Sequence, residues 1–229
     1  MKKTLKKNSW DLSYNRGENF YFFPKEQTVR FLNKYIAKFN SKDQLNYIEN
    51  IKNKKTLDFG CGIGTTTFMM QKYGFDSYGV DVSKKAISIA KKRAKNKKLK
   101  SKFYEINNNT LDFKDKMFYL SISEGVLDSM PFELAKKYFN DIARVTEKYI
   151  FLSLVKNCSS IKNHNLAKDH LKRTKFEKDT YQTFYNLSKI KKLIKNTKFE
   201  ILYYELESRN HYTFNTYAGR YYIALIRKN

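Results

Sequence analysis

Cysteine is nearly absent: Cys61 and Cys158 are the only two in 229 residues, and they form no CxxC pair. Neither a disulfide framework nor a thiolate zinc site is indicated. Histidine is as scarce. His164, His170 and His211 make no HExxH pattern, and no metal site is expected. No run of about 18 apolar residues occurs, the usual length of a membrane span. The start, MKKTLKKNSW, has the basic character of a secretory signal. Asn8, Ser9, Asp11, Ser13 and Asn15 then interrupt any apolar region, so a cytoplasmic protein is expected.

Acidic residues are outnumbered, 22 against 46 basic ones, for a net charge of +24. Such an excess points towards nucleic acid. Arginine, the better fork for phosphates and base edges, supplies only 8 of the 46. The lysine excess therefore reads mainly as solvated surface that also attracts small anions. With 41% hydrophobic and 16% aromatic residues, the chain can bury a substantial core. We expect one domain over 1–229, with residues 1–53 on the substrate side.

Glycine is sparse too, yet three of the eight fall within five positions, in LDFGCGIGTTT (57–67). The surrounding pattern alternates. Strand-like runs at 55–60, 76–82, 101–106, 117–125 and 149–155 are separated by helical patterns at 66–74, 84–98 and 131–145. Ser83 suits an N-cap and Pro131 a helix entrance. A helix at 187–197 and strands at 199–208 and 219–228 follow. Residues 26–39 read as a helix with Val29, Leu32, Ile36 and Phe39 on one face. The βαβ rhythm predicts an α/β fold with a doubly wound, mostly parallel sheet. Ligands of such sheets bind at the carboxyl ends of the strands, where the glycine loop falls.

Three ligands fit the letters of that loop. DFG is a kinase motif, but only 57 residues precede Asp58 and no HRD segment occurs. A dinucleotide fingerprint needs GxGxxG, and Thr65 or Thr67 stands where its last glycine belongs. An ionised Asp58 would also repel a pyrophosphate. The third pattern, an acidic residue before GxGxG, resembles motif I of class I S-adenosylmethionine-dependent methyltransferases. FYLSISEGVLDSMP (118–131) resembles the later strand and loop of that family.

The resemblance implies a seven-stranded Rossmann-like methyltransferase fold and S-adenosylmethionine as cofactor. Asp58, Gly60, Cys61, Gly62 and Gly64 would form its loop. Asp81 and Val82 would meet the ribose, Asn107 and Asn108 the adenine, and Ser123 and Glu124, at the end of the fourth strand of this core, would also bind the cofactor. Cys61 is a small filler and no nucleophile. Tyr119, Glu124, Asp128 and Ser129 depart from the family pattern, and the last two replace frequent histidines.

Acceptor-side groups are expected from the N-terminal segment and from 157–185, which is long and polar for a connection. That segment is either a lid or a solvated basic loop. His164 or Asp128 is a candidate base, and an anionic acceptor needs none. Trp10, Tyr14, Arg16, Tyr21 and Phe23 can close over the methionine moiety, with Arg16 on its carboxylate. Phe20, Phe22 and Phe23 are alternatively core-packing residues. The leading expectation is O-methylation of a small, anionic or sugar-linked acceptor. A loose likeness to small methyltransferases of bacterial surface-glycan and capsule assembly ranks such acceptors first. An RNA methyltransferase and a non-catalytic cofactor-binding scaffold are the alternatives.

Overall fold

The computed structural model describes residues 7–106, 110–156, 169–171, 177–211 and 216–228. Two helices come first, α1 (Lys7–Asn15) and α2 (Glu26–Tyr35), then a short hairpin of β1 (Ala37–Phe39) and β2 (Leu45–Tyr47). The alternating region is β3 (Lys55–Phe59), α3 (Thr65–Lys72), β4 (Asp76–Asp81), α4 (Lys84–Asn96), β5 (Lys102–Glu105), β6 (Phe118–Glu124), α5 (Phe132–Val145) and β7 (Thr146–Val155). After it come β8 (His170–Leu171), β9 (Tyr181–Gln182), α6 (Leu187–Ile194), β10 (Phe199–His211) and β11 (Thr216–Arg227). Among the described residues no helix is long and apolar enough to cross a membrane.

Seven strands form one sheet in the order β10-β11-β7-β6-β3-β4-β5. β3 to β7 run parallel, while β11 is antiparallel to β7 and β10 to β11. The chain leaves β3 for β4 on one side and returns to β6 on the other. The crevice at that reversal is where an α/β sheet accepts a ligand. The sheet is covered on both faces, because successive strand residues point to opposite sides. Along β11, Tyr221, Ile223 and Leu225 join the core under α5 and α6, while Tyr222 and Ala224 join the core under α2 and α3. Near-continuous apolar strands such as β7 follow from that double cover.

Local signals set the helix starts. The Ser83 side chain accepts the Ala86 N–H at 3.1 Å, a cap contributing about 1 kcal/mol. Pro131 stands at the N-cap of α5. Gly74, at φ 93°, follows the end of α3. The expected helix over 26–39 is shorter: α2 stops at Tyr35 and the chain enters β1. Its buried face is Thr28, Phe31 and Leu32. Phe39 is instead 46% exposed and meets the Tyr73 ring edge-on. The cause is the hairpin, which pairs Ala37 with Tyr47 and takes over the backbone groups that a longer helix would use.

Candidate active site

A cavity of about 360 Å³ opens at the carboxyl ends of β3, β4 and β6. Its floor is the glycine loop. Gly60 and Cys61 both donate their N–H to the Val80 carbonyl, at 2.8 and 3.0 Å, which folds the loop over β4. At Gly60, φ is 76° and an added Cβ would lie 2.2 Å from Val126 Cγ2. At Gly62, φ is 53° and the Cβ would lie 2.6 Å from the Tyr14 hydroxyl. Both positions therefore demand glycine, on conformation and on space. Gly64, at φ 86°, is the N-cap of α3 and lies outside the lining.

Three carboxylates surround this floor. Asp58, the penultimate residue of β3, is almost wholly buried, and its Oδ2 accepts the Thr67 hydroxyl at 2.6 Å. Asp81 ends β4; Oδ2 accepts the Gly62 N–H at 2.9 Å and Oδ1 the Ser83 N–H at 2.8 Å. Asp58 pairs with Ile122 across the sheet, so Glu124, two residues on, stands beside the loop. Glu124 accepts hydroxyl protons from Thr28 at 2.5 Å and Thr66 at 2.8 Å. Burial pushes the Asp58 carboxyl up to about 7, with Glu124 and Asp81 adding to the rise. Burial likewise lifts Asp81 to about 6. The Cys61 thiol is pushed well above its ordinary value by burial and then by Asp58 and Asp81. It stays neutral, unlike a reactive cysteine. When these acids ionise, the glycine-loop end of the hollow is negative, which favours a cationic group there and opposes a pyrophosphate.

The rim comes from the N-terminal segment. Asp11 on α1 accepts the Ser83 hydroxyl at 2.6 Å and the Lys85 N–H at 3.0 Å, docking α1 on the start of α4. A carboxylate there also suits the positive end of the helix. Trp10 and Tyr14, four positions apart and so on one side of α1, both line the cavity. The Tyr14 hydroxyl is pushed above its ordinary value by burial and by Asp81, so it remains a donor. Tyr21 and Phe23 line the opening as well. The expectation of core packing differs for two of the phenylalanines: Phe22 and Phe23 are 60% and 86% exposed. Phe22 instead lies at the surface against α4, with Arg93 Cζ 5.1 Å from its ring centroid. Phe20 packs on Tyr14.

The opposite half is built from the loop after β6 together with Lys25, Gln182 and Arg220. Asp128, almost wholly buried, accepts the Val155 N–H at 2.8 Å and Arg220 Nη1 at 3.1 Å through Oδ2. Its carbonyl accepts the Thr183 N–H at 2.7 Å.

Of the residues singled out in the sequence, Asp58, Gly60, Cys61, Gly62, Asp81, Val82, Glu124, Asp128 and Tyr14 line this one cavity. Ser123 is buried outside the lining, and its Oγ has no hydrogen-bond partner among the described residues. Arg16 is not brought to the cavity. Glu18 holds its guanidinium through bonds of 2.8 and 3.0 Å. Asn107, Asn108 and His164 lie outside the described residues. Sequence reasoning missed Lys25, Gln182, Glu177 and Arg220. Nothing in a chain with 46 basic residues singles out two of them.

A family model described as a methyltransferase domain matches residues 50–210. Two curated relatives match locally. An uncharacterized protein of Haemophilus influenzae is 31% identical over 97 residues, 41% of this chain and 39% of that protein. The ubiquinone biosynthesis O-methyltransferase of Pelagibacter ubique is 48% identical over 50 residues, 22% of this chain and 21% of that protein. The matches thus span less than half the length of either relative. Among solved structures, a SAM-dependent methyltransferase of Methanosarcina mazei superposes with a TM-score of 0.64 at 20% identity, over 77% of this chain and 93% of that one. Likeness at that identity speaks for the fold.

Proposed function

This chain belongs to the methyltransferase-domain family; from that premise we propose that it is an S-adenosylmethionine-dependent methyltransferase that methylates an oxygen of a small, anionic or sugar-linked acceptor. The observation that carries the cofactor half is the acid cluster around a glycine floor, buried Asp58 and Asp81 with half-buried Glu124. A ligand with a sulfonium and an ammonium group relieves that charge, whereas a dinucleotide adds to it. The local likeness to an O-methyltransferase supports oxygen as the atom methylated.

The cofactor, when bound, supplies a methyl carbon activated by the adjacent sulfonium. The chain's own residues would hold and orient it. Asp81 keeps carboxylate lone pairs free beyond those used by Gly62 and Ser83, which suit ribose hydroxyls. Asp58 and Glu124 supply negative charge beside the loop. The Tyr14 hydroxyl is a donor for the cofactor's carboxylate, a role for which Arg16, tied to Glu18, is poorly placed. Asn107 and Asn108 keep the adenine side. Asp128 serves the acceptor side as a brace: Oδ2 already takes two donors, one a guanidinium. Alignment of the acceptor oxygen with the methyl carbon is then the main catalytic task. His164 remains the proposed base for a hydroxyl acceptor.

Calorimetric titration with S-adenosylmethionine and S-adenosylhomocysteine tests the cofactor half, and Asp81→Ala should lose most of the affinity. Labelled methyl transfer into fractionated cell extract tests the acceptor. Label in small-molecule or glycan fractions supports the proposal. Label lost on nuclease treatment would replace it with an RNA methyltransferase, and tight cofactor binding without any transfer would favour a scaffold.

A further inference from the structure

Two cations meet in the acceptor half of the cavity. Lys25 occupies the N-cap position of α2, and Arg220 lies on β11 opposite Val155 of β7. Sequence places them 195 positions apart, yet both reach the Ser153 hydroxyl. Arg220 Nη1 donates to it at 2.9 Å and Lys25 Nζ at 3.5 Å. Both also lie against Gly125, the first residue after β6. A Cβ built there would stand 3.5 Å from Arg220 Nη1 and 3.9 Å from Lys25 Nζ. The conformation of Gly125 (φ 70°) and its missing side chain leave that corner open.

The two cations at this corner differ in their partners. Arg220 has Asp128 at 3.1 Å. Among the described residues Lys25 makes no ion pair within 4 Å, and its bond to Ser153 is long. Glu124, Asp128 and Glu207 act on it from further away. Burial and the neighbouring guanidinium both disfavour its ammonium, so an anion arriving here relieves a real cost. The corner lies on the same cavity as the glycine floor, beyond Glu124, on the side away from Asp81.

We propose that Lys25 and Arg220 form an oxyanion site that holds a carboxylate or phosphate group of the methyl acceptor. The inference rests on the methyltransferase reading above. It gives that reading a substrate class, an acceptor that is anionic when it enters. Gly125 lets the anion approach the backbone, and Ser153 holds the two cations side by side. Charge-assisted bonds from a guanidinium fork and an ammonium are the strong kind for such groups.

The test is calorimetry on the full chain saturated with S-adenosylhomocysteine, using benzoate as the carboxylate probe and phenyl phosphate as the phosphate probe. Wild type should bind at least one of them, and the stronger identifies the group. Lys25→Met should weaken that binding roughly tenfold or more while leaving S-adenosylhomocysteine affinity within about twofold. Lys25→Arg should keep it, which separates charge from folding, and Arg220→Lys should weaken it while preserving the Asp128 contact. No probe binding by wild type, or equal binding by Lys25→Met, overturns the proposal. So does a loss of S-adenosylhomocysteine affinity in Lys25→Met with 5′-methylthioadenosine affinity unchanged, since that assigns Lys25 to the cofactor's own carboxylate. Failure of wild type to bind S-adenosylhomocysteine is a separate result. It removes the functional reading itself, before any oxyanion is added.

Discussion

The Asp81 carboxylate accepts the Gly62 N–H at 2.9 Å, tying the end of β4 to the middle of the glycine loop. One side chain thus does two things: it fixes the loop and presents its remaining lone pairs to the cavity. Asp81→Ala should lower S-adenosylhomocysteine affinity by roughly tenfold or more, since a buried charged acceptor is lost. Asp81→Asn should lose less, because an amide oxygen can still accept from Gly62. Unchanged calorimetric affinity in Asp81→Ala would separate this residue from the cofactor.

Proton linkage follows from the buried acids. Asp58 rises from 3.8 to about 7 and Asp81 to about 6, chiefly through burial. The folded apoprotein therefore holds protons that the unfolded chain has released. Their stabilising contribution is complete below the unfolded value of 3.8, falls as pH rises above it, and is gone once pH has passed through about 6 to 7. The apoprotein's Tm should fall over that window, and Asp58→Asn should flatten the fall. S-adenosylmethionine favours the ionised carboxylates, so its affinity should rise with pH across the same range, more steeply than that of uncharged-sulfur S-adenosylhomocysteine. Titration in buffers of different ionisation enthalpy would detect proton release on binding; its absence would mean the acids do not respond to the ligand.

Much of this was legible from local pattern. The order of the α/β elements follows from alternating periodicity, and the loop stands out because three of eight glycines share five positions. Capping by Ser83 and the Pro131 entrance follow from side-chain chemistry. What sequence could not supply was pairing at a distance. Arg16 looks free for a ligand carboxylate until Glu18, two residues on, takes its guanidinium. Lys25 and Arg220 are two basic residues among 46, and only the β7–β11 register and the start of α2 bring them together. The end of α2 at Tyr35 was hidden for the same reason, since a partner strand at 45–47 decides it.

Gly60 offers a test of the floor. Alanine there meets a positive φ of 76° and Val126 Cγ2 at 2.2 Å. Gly60→Ala should destabilise the protein by about 1–3 kcal/mol from backbone strain and crowding. Adding Val126→Ala should recover part of that loss, because it removes the clash and leaves the strained φ. Chemical denaturation of the two single variants and the double variant gives the coupling. Strict additivity would show that Val126 does not press on the loop.

The N-terminal cap is held by Glu18. Its carboxylate accepts the Ser13 hydroxyl at 2.7 Å, the Arg16 Nε at 2.8 Å and the Glu177 N–H at 3.1 Å, joining α1 to the 177–180 turn. The Arg16 bond is the largest cause holding this carboxyl down at about 2. Trp10 and Tyr14 reach the cavity from the same helix, so loosening the cap should move them. Glu18→Gln should raise the KM for S-adenosylmethionine and speed proteolysis within the first 25 or so residues, with kcat little changed. If Arg16 works only through Glu18, Arg16→Gln should resemble Glu18→Gln, and the double variant should be no worse than either alone. A further loss in the double variant would give Arg16 an independent part in binding the cofactor.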